Sequence, residues 1–457
     1  MKIIILGAGQ VGASLASSLA VEENDITIVD QDAKLLDRLQ NHLDLRCIRG
    51  YAAHPDVLAK AGAEDADMLI AVTQSDETNM MACQVAYRLF STPTKIARVR
   101  ASEYMNYPDL FSNKAIPVDM LISPEQLVTD YISSLLKYPG SLQVLEFAGG
   151  KVQLVAVKAL EDGRLVGRAL KHLQTDLHDS EARVAAIYRQ DNALEINGDT
   201  VIRAGDEVFF ITATENTEKM MLELRQQEKP YRRVMIAGGG NIGIRLAKAL
   251  ENKFRLRIIE QNEERASILS EDLEHAIVLR GSALDEQLLK TENINEVDVF
   301  CSVTNDDEAN VLSAMIAKRL GAKKVMALIN RTSYVDLIQS GPIDIAISPQ
   351  QATIGALLAH IRIGDIVQVH SLRRGAAEAI EAIAHGDEKS SRVVGKRIHE
   401  IKLPKGTSIG AIIRDGEVNI AHRQKFIRTN DHVILFLRDK KRIKEVEKLF
   451  QVKIGFL

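Results

Sequence analysis

Short apolar runs alternate along the chain with longer segments that carry leucine and alanine at helical spacing. In the first 123 residues, the apolar runs that predict strands are 3–6, 26–29, 46–48, 68–72, 96–99 and 118–122. Near-continuous apolar strands separated by helices are typical of a parallel sheet covered on both faces. The pattern therefore predicts an α/β domain with a doubly wound parallel sheet.

The same pattern returns 231 residues later, which indicates an internal duplication. This shift aligns Gly50 with Gly281, Asp67 with Asp298, Thr73 with Thr304, Asp76 with Asp307, Glu77 with Glu308, Asn79 with Asn310 and Arg100 with Arg331. We therefore predict a second parallel-sheet domain of the same topology.

A second similarity follows each of these units at a shift of 225. It aligns residues 123–126 with 348–351, 186–189 with 411–414, and 202–206 with 427–431. These regions alternate in short steps with Gly and Asp turns, which predicts small β-rich α+β domains. Domain breaks are expected near residues 138–140, 226–230 and 364–365. The predicted plan is a Rossmann domain at 1–123, a helical connector at 124–142, a small α+β domain at 143–228, a Rossmann domain at 229–348, a connector at 349–366 and a small α+β domain at 367–457.

Both predicted Rossmann domains begin with a glycine-rich turn between the first strand and the first helix. The two turns are Gly7, Ala8, Gly9, Gln10, Val11 and Gly12, and Gly238, Gly239, Gly240, Asn241, Ile242 and Gly243. Asp30 follows Gly12 by 18 residues and Glu260 follows Gly243 by 17, each at the end of the second apolar run. This layout is typical of dinucleotide binding: the pyrophosphate lies on the helix N-terminus and the carboxylate accepts from ribose hydroxyls. Simple turn formation is the alternative explanation of a single motif.

Polar residues follow the fourth and fifth strands of each unit. Residues 73–79 are Thr-Gln-Ser-Asp-Glu-Thr-Asn, and their counterparts 304–310 are Thr-Asn-Asp-Asp-Glu-Ala-Asn. Ligands of doubly wound sheets bind at the carboxyl ends of strands, so this turn is expected to face a nucleotide. Helix capping alone is the alternative explanation, and both can hold, with the backbone of residues 73–74 on the ligand and Asp76 capping the next helix. Arg98 and Arg100 are expected on one face of the next strand, within reach of phosphate or ribose or simply exposed at the rim. Ile329 replaces Arg98 in the second half, so the two sites are predicted to differ.

Composition removes several classes of function. The 58 basic and 62 acidic residues give a net charge of −4, which does not favour nucleic-acid binding. The cysteines Cys47, Cys83 and Cys301 are widely spaced, which implies neither a disulfide framework nor a metal site and favours a reducing cytoplasm. The apolar runs are of strand length, and the chain starts directly on a strand, so neither a membrane span nor a signal peptide is expected. Any role at a membrane is therefore predicted to be peripheral.

Support for catalysis is weak. The eleven histidines are scattered, and His54, His178, His370 and His432 have no recognisable catalytic setting. A dehydrogenase needs an acid or base beside the nicotinamide, and no nucleophile-elbow, zincin or P-loop motif is present. We predict no catalytic residues and no metal site.

The duplicated motifs, each followed by a β-rich lobe, resemble the regulators of potassium conductance (RCK domains). In length and tandem order the chain is similar to the cytosolic regulatory subunits of bacterial Trk potassium uptake systems. The resemblance implies binding of NAD+ or NADH, with ATP and ADP as alternative ligands. It also implies a homo-oligomeric ring on the cytoplasmic face of the inner membrane, beneath a potassium-translocating subunit of the TrkH or TrkG type.

Carried over by position, the resemblance implies two sets of ligand residues. The first comprises residues 7–11, Asp30, Thr73, Gln74 and Arg98, and the second comprises residues 238–242, Glu260, Thr304 and Asn305. One departure concerns the residue after Gly50 and Gly281, where the family often has Asp and this chain has Tyr51 and Ser282. No ligand role is predicted for these two.

Two functions of different classes remain at this point. The favoured one is a nucleotide-sensing regulatory subunit, and the other is an NAD-dependent oxidoreductase with two active units. The membrane partner of a regulatory subunit can also be another potassium channel or an antiporter. Consumption of NADH with a carbonyl substrate distinguishes the enzyme from the regulator.

Overall fold

A computed structural model describes residues 1–20, 24–172, 182–190, 192–226, 229–331, 334, 341–361, 366–372 and 377–452. Its internal contacts form two compact units, which are Met1–Leu127 with Pro349–Leu357, and Val128–Ser348 with Leu358–Leu457. The predicted break at residues 364–365 and the side chain of His178 lie outside the described residues, as do positions 227 and 228 of the break at 226–230.

The first sheet contains six parallel strands in the order β3-β2-β1-β4-β5-β6. The strands are β1 (Lys2–Leu6), β2 (Asp25–Asp30), β3 (Arg46–Arg49), β4 (Met68–Ala71), β5 (Thr94–Arg98) and β6 (Met120–Ile122). The helices between them are α1 (Gln10–Ala20), α2 (Ala33–Gln40), α3 (Pro55–Lys60), α4 (Asp76–Phe90) and α5 (Ser102–Met105). The central strands β1 and β4 are buried along almost their whole length, as expected for a sheet covered on both faces. The predicted doubly wound sheet is confirmed.

An antiparallel sheet follows, in the order β10-β9-β11-β8-β7. It is preceded by α6 (Pro124–Lys137) and comprises β7 (Ser141–Phe147), β8 (Val152–Lys158), β9 (Ala182–Arg189), β10 (Asn192–Ala193) and β11 (Glu207–Ala213), with α7 (Thr217–Leu224) after it. Strand β7 begins at Ser141, two residues before the predicted start of the small domain.

The second parallel sheet has the same strand order as the first, β14-β13-β12-β15-β16-β17. Its strands are β12 (Arg233–Ala237), β13 (Arg255–Glu260), β14 (Ile277–Arg280), β15 (Val299–Ser302), β16 (Lys324–Leu328) and β17 (Ile345–Ile347). Its helices are α8 (Asn241–Leu250), α9 (Glu263–Asp272), α10 (Glu286–Thr291) and α11 (Asp307–Arg319). The predicted duplication therefore extends to every strand of the sheet.

The last sheet is again antiparallel, in the order β18-β19-β22-β20-β21. It follows α12 (Pro349–Ile361) and comprises β18 (Ile366–Leu372), β19 (Ala377–Ile383), β20 (Thr407–Arg414), β21 (Glu417–Ile420) and β22 (His432–Leu437), with α13 (Ile443–Phe450) at its end. Read in reverse, this order matches that of the first small sheet strand for strand.

The aligned residues of the two small domains form the same ion pair. Arg189 donates to both carboxylate oxygens of Asp206 at 2.8 Å, and Arg414 does the same to Asp431 at 2.9 and 2.7 Å. Each aspartate is 1% exposed or less while its arginine stays partly exposed, and the two parallel hydrogen bonds make the pair geometrically specific. The repeated sequence at these positions is therefore explained by the fold.

The two helices that follow the parallel sheets pack in different units. In the first unit, the side-chain amide of Gln350 on α12 donates to the carbonyl oxygen of Gln10 at 3.1 Å and to the hydroxyl of Ser14, both on α1. In the second unit, Val128 and Ile132 of α6 lie in one apolar core with strands β12 and β13. None of the helices in the described part of the chain is both long and apolar enough to cross a bilayer.

Candidate functional site

The first glycine-rich turn is shaped by two close backbone approaches. Gly7 has φ of +105°, and a Cβ there would lie 3.1 Å from the backbone of Thr73. A Cβ on Gly12, the third residue of helix α1, would lie 1.9 Å from the carbonyl oxygen of Gly7, so only glycine fits there. A Cβ on Gly9 would meet no atom within 4 Å. The fold itself thus explains Gly7 and Gly12, whereas no packing contact explains Gly9.

Asp30 ends strand β2 beside this turn. Its Oδ2 accepts from the backbone N–H of Ala8 at 2.6 Å, and its Oδ1 accepts from the N–H of Asp32 at 2.9 Å. Each carboxylate oxygen has a further lone pair after these bonds are made. The structure therefore brings the predicted carboxylate to the predicted turn, with acceptor capacity left for ribose hydroxyls.

The turn after β4 is fixed by Asn79, a residue for which no role was predicted from the sequence. Asn79 is fully buried, and its Oδ1 accepts from the N–H of Thr73 at 2.9 Å and from its hydroxyl at 2.7 Å. The amide of Asn79 donates to the carbonyl oxygen of Arg98 at 2.9 Å. This asparagine links the ends of β4 and β5. The sequence feature that could have predicted this role is its repetition at Asn310.

The expectation that Asp76 caps helix α4 is wrong. The cap is Ser75, whose side chain accepts from the N–H of Thr78 at 3.1 Å. Asp76 is buried and accepts from the N–H groups of Arg100 and Ala101, each at 2.8 Å. Asp76, the first residue of the helix, reaches the loop after β5, whereas the shorter side chain of Ser75 accepts a hydrogen bond from the first turn of the helix.

Arg98 and Arg100 have different surroundings. Arg100 donates to the carbonyl oxygen of Gln74, so it braces the turn rather than pointing into open solvent. Arg98 is half-buried, and its Nε is buried with no hydrogen-bond partner. Burial lowers the pKa of the Arg98 guanidinium, and the nearby carboxylate of Glu125 opposes that shift. Arg98 thus has an unused, desolvated donor at the same sheet edge as the glycine turn.

The second site repeats this geometry in detail. Gly238 has φ of +104°, and a Cβ on Gly243 would again lie 1.9 Å from the preceding carbonyl oxygen. Glu260 accepts from the N–H of Gly239 at 2.7 Å and from that of Asn262 at 2.7 Å. Asn310 is buried and holds Thr304 through the same pair of bonds, at 2.9 and 2.7 Å. The predicted residues at both sites therefore come together at the carboxyl ends of the strands.

The two sites differ in the size of the groups beside the carboxylate. The first combines Ala8 with the short Asp30, and the second combines Gly239 with the longer Glu260. A Cβ on Gly239 would lie 2.9 Å from Glu260 Oε2 and 2.2 Å from the Cδ1 of Leu269. The extra methylene of glutamate and the missing methyl of glycine compensate each other.

The second site also contains a cation that was not predicted from the sequence. Arg265 on α9 donates from Nε to the carbonyl oxygen of Gly239 at 2.7 Å. Its counterpart at a shift of 231 is Lys34. Ile329, the counterpart of Arg98, is fully buried, so the second site has no cation at that position.

The N-termini of α1 and α8 suit an anion. Neither helix has an acidic residue in its first turn, whereas α4, α9 and α11 each have two. Free N–H groups and the helix dipole favour negative charge there. Open space adjoins both helix ends, because a Cβ on Gly9 or on Gly240 would meet no atom within 4 Å. A helix N-terminus with free space beside it has the chemistry to accept a phosphate group.

Two of the cysteines and one exposed aromatic pair have well-defined surroundings. Burial raises the pKa of Cys83 and of Cys301 to about 12, so both remain thiols. Exposed Tyr51 stacks on His54 with ring centroids 5.0 Å apart. Within the described residues, no group of three or more His, Cys, Asp or Glu side chains is arranged to hold a metal ion.

Comparison with known families agrees with this duplicated architecture. The TrkA-N domain matches residues 3–124 and 234–349, which contain the two parallel sheets. The chain belongs to the TrkA family. The TrkA-C domain matches residues 154–225, within the first small α+β domain.

Full-length TrkA relatives are similar over the whole chain. The Trk system potassium uptake protein TrkA of Halomonas elongata is 60% identical over 456 residues, and that of Vibrio alginolyticus is 59% identical over 458. Both alignments cover 100% of this chain and 100% of the relative.

Solved structures confirm the RCK fold. The crystal structure of the GsuK RCK domain has a TM-score of 0.61 at 16% identity, covering 98% of this chain and 94% of that one. The GsuK channel bound to NAD has a TM-score of 0.61 at 17% identity, covering 98% and 78%. At this identity the likeness is one of fold.

Proposed function

We propose that this chain is a nucleotide-sensing regulatory subunit that controls a potassium-translocating membrane protein of a Trk uptake system. The observation that carries the proposal is the duplicated contact between a strand-end carboxylate and a glycine turn, Asp30 with Ala8 and Glu260 with Gly239. The full-length relatives, which are Trk system potassium uptake proteins, supply the transport system. The six-segment plan of Rossmann domains, helical connectors and small α+β domains in tandem is part of this proposal.

The proposed ligand is NAD+ or NADH, with ATP and ADP as alternatives that share the adenosine and phosphate groups. The residues proposed to hold it are Gly7, Ala8, Gly9, Gln10, Val11, Gly12, Asp30, Thr73, Gln74 and Arg98 in the first site, and Gly238, Gly239, Gly240, Asn241, Ile242, Gly243, Glu260, Thr304 and Asn305 in the second. When bound, the nucleotide contributes charge and contacts rather than hydride chemistry. One structural neighbour, a GsuK channel bound to NAD, supports this choice of ligand class.

Within each site, the residues have distinct tasks. The N–H groups that begin α1 and α8 donate to phosphate oxygens, and Gly9 and Gly240 leave the space that the phosphates need. Asp30 and Glu260 accept from the ribose hydroxyls and repel a 2′-phosphate, which selects NADH over NADPH. Thr73 and Thr304 direct their hydroxyl protons to an asparagine, so their contribution to a ligand is through the backbone of the turn.

Regulation requires only that the nucleotide bind two conformations with different affinity. Couplings of this kind are typically about 1–3 kcal/mol. We propose that the chain assembles into a homo-oligomeric ring at the cytoplasmic face of the membrane, against an integral subunit of the TrkH or TrkG type. The ring would transmit the nucleotide-dependent change to that subunit.

The test of ligand binding is calorimetric titration of the full chain with NADH. Asp30→Ala is expected to weaken the first site about tenfold to a hundredfold, since a charged hydrogen-bond partner contributes about 1.5–3 kcal/mol. Asp32→Ala is the matched control, because the Asp32 carboxylate caps α2 by accepting from the N–H of Lys34 and is not one of the proposed ligand residues. Unchanged affinity in a folded Asp30→Ala variant would show that this carboxylate does not touch the nucleotide.

The test of regulation is co-purification from detergent-solubilised membranes. An integral potassium-translocating protein is expected to remain bound to the tagged chain, and the chain alone is expected to consume no NADH with carbonyl substrates. Turnover of NADH would favour the oxidoreductase, and recovery of an antiporter would assign a different partner.

A further inference from the structure

A cavity of about 270 Å³ lies in the second compact unit, at the amino ends of the strands of the second parallel sheet. It is bounded by the end of α6, by α7, and by the segments that enter β12 and β13. The second glycine turn and Glu260 lie at the opposite, carboxyl ends of these two strands. None of the residues described around this cavity belongs to a proposed nucleotide site or to the second small domain.

Hydrogen bonds around Gly140 fix the walls of this cavity. The N–H of Gly140 donates to the hydroxyl of Tyr231 at 3.2 Å, and Nη1 of Arg225 donates to the carbonyl oxygen of Gly140 at 2.8 Å. Next to it, Nζ of Lys324 on β16 donates to the carbonyl oxygen of Ser141 at 2.7 Å. The link between α6 and β7 is therefore bonded both to the end of α7 and to the second parallel-sheet domain. Ligand cavities in proteins are usually preformed in this way.

Most of the lining is aromatic or aliphatic. Three rings, those of Tyr138, Tyr231 and Phe254, border the cavity, and α7 contributes Met221 and Leu222. Aromatic side chains pack well against another ring, and a methionine adapts to the shape of what it contacts. The volume is close to the lower end of the range typical of small-molecule sites. The lining therefore suits a compact, flat organic molecule.

The charged residues of the lining favour a negative group on that molecule. Lys137 is exposed, with its Nζ 5.2 Å from the centroid of the Tyr138 ring, and Arg225 is the second cation. Glu218 is the one carboxylate among the residues described around the cavity. Two cations against one carboxylate attract a carboxylate and disfavour an ammonium group.

The duplicated fold does not require these apolar side chains. Helices α7 and α13 have the same length and follow the last strand of their sheets, and the sixth residue is Leu222 in α7 but Lys448 in α13. In the parallel-sheet domains, Phe254 corresponds to Glu23 at a shift of 231. Packing between domains does not account for Leu222 either, because 40% of it stays exposed. A ligand that covers these side chains is the remaining physical reason for them.

We propose that this cavity binds a small aromatic carboxylate, with the ring against Phe254, Tyr231 and Leu222 and the carboxylate beside Lys137. The ligand contacts α6, α7 and the second parallel-sheet domain at once, so it stabilises one arrangement of these three parts. Such binding is independent of the proposed nucleotide sites, which lie at the other ends of the strands. One molecule binds per chain, because the lining residues occur in only one copy of the duplication.

The test uses indole-3-acetate as the probe and the full chain saturated with NAD+ and ADP, so that the nucleotide sites are filled. The chain has no tryptophan, so the fluorescence anisotropy of the indole ring reports its binding directly. Leu222→Gln and Phe254→Gln are each expected to weaken binding at least about fivefold, since each removes apolar contact with the ring. Ile268→Gln is the matched control, because Ile268 is 46% exposed and does not line the cavity, and a change below about twofold is expected.

Tryptamine, which carries an ammonium group on the same ring, tests the charge preference. It is expected to bind more weakly than indole-3-acetate. No saturable binding of indole-3-acetate, equal or tighter binding of tryptamine, or binding that Leu222→Gln and Phe254→Gln both leave unchanged would overturn the proposal. Leu222→Gln keeps the test decisive if Phe254→Gln does not fold, because Leu222 is an exposed helix residue and glutamine is a good helix former.

Discussion

The two Rossmann domains have the same strand order but different charged residues at the carboxyl ends of their strands. Both hold a carboxylate on a glycine-turn N–H, at 2.6 Å for Asp30 and 2.7 Å for Glu260. Beyond that contact they diverge, because the first has Arg98 with an unused buried donor and the second has buried Ile329 and an arginine, Arg265, on the carbonyl side of the turn. The two copies thus share the glycine turn and its carboxylate contact and differ in the positions of the neighbouring arginines.

This comparison separates what the fold needs from what a ligand needs. Gly12 and Gly243 would clash with a backbone carbonyl in both copies, so their repetition follows from packing alone. Gly9 and Gly240 face open space in both copies, so packing does not require them. Gly9 and Gly240 therefore support the proposed phosphate site better than Gly12 and Gly243 do.

The largest change in nucleotide affinity is expected from Arg98→Ile, which introduces into the first site the residue type that Ile329 supplies in the second. Removing a charged donor from phosphate costs about 1.5–3 kcal/mol, or about tenfold to a hundredfold in first-site affinity for ADP. Titration of the full chain measures it, with Arg88→Ile on the exposed end of α4 as the control. A change below about twofold would mean that Arg98 serves Glu125 and not the ligand.

The next largest effect, on the stability of the fold, is expected from Gly239→Ala, which introduces the residue type found at the aligned position Ala8. The new methyl group would overlap Leu269 and approach Glu260, and overpacking of this kind costs about 1–3 kcal/mol in the free energy of unfolding. Glu260→Asp in the same chain is expected to recover part of that loss. Chemical denaturation is the measurement.

Gly240→Ala is the matched control for this substitution. Its Cβ meets no atom within 4 Å, so stability should be retained while the methyl group occupies space proposed for phosphate. Equal destabilisation by the two alanine substitutions would contradict the size compensation between Gly239 and Glu260.

The smallest effect is expected in the small domains, where His370 replaces Leu145 of the first copy. Burial lowers the pKa of His370 from its ordinary 6.5 to about 4. Between these pH values the unfolded chain binds a proton that the folded chain does not, so stability falls as the pH falls through this window. His370→Leu is expected to lose less stability than the parent between pH 7 and pH 5 in denaturant titrations. An unchanged pH dependence would show that other groups account for it.

Much of the fold follows from sequence because the apolar periodicity is strong and occurs twice. The six strands of each parallel sheet and the carboxylates at Asp30 and Glu260 were predictable from spacing. Asp76 was misassigned because a helix-capping pattern does not show which of two adjacent polar residues faces inward. Arg265 was missed because its bond to Gly239 depends on the direction of α9, which periodicity does not specify.

A division of the sequence into consecutive domains could not predict which sheet each connecting helix packs against. Residues 349–357 belong to the compact unit of the first sheet, although they follow the second. Cutting the chain after residue 228 would remove them from that unit. The two sites are therefore best compared in the intact chain.

The most direct test of two unequal sites is titration of the intact chain with NADH, alone and with Asp30→Ala or Glu260→Ala. Two binding events per chain are predicted, differing in affinity by about tenfold or more, with Asp30→Ala weakening the tighter and Glu260→Ala the weaker. A single class of identical sites, or binding that neither substitution alters, would contradict the account.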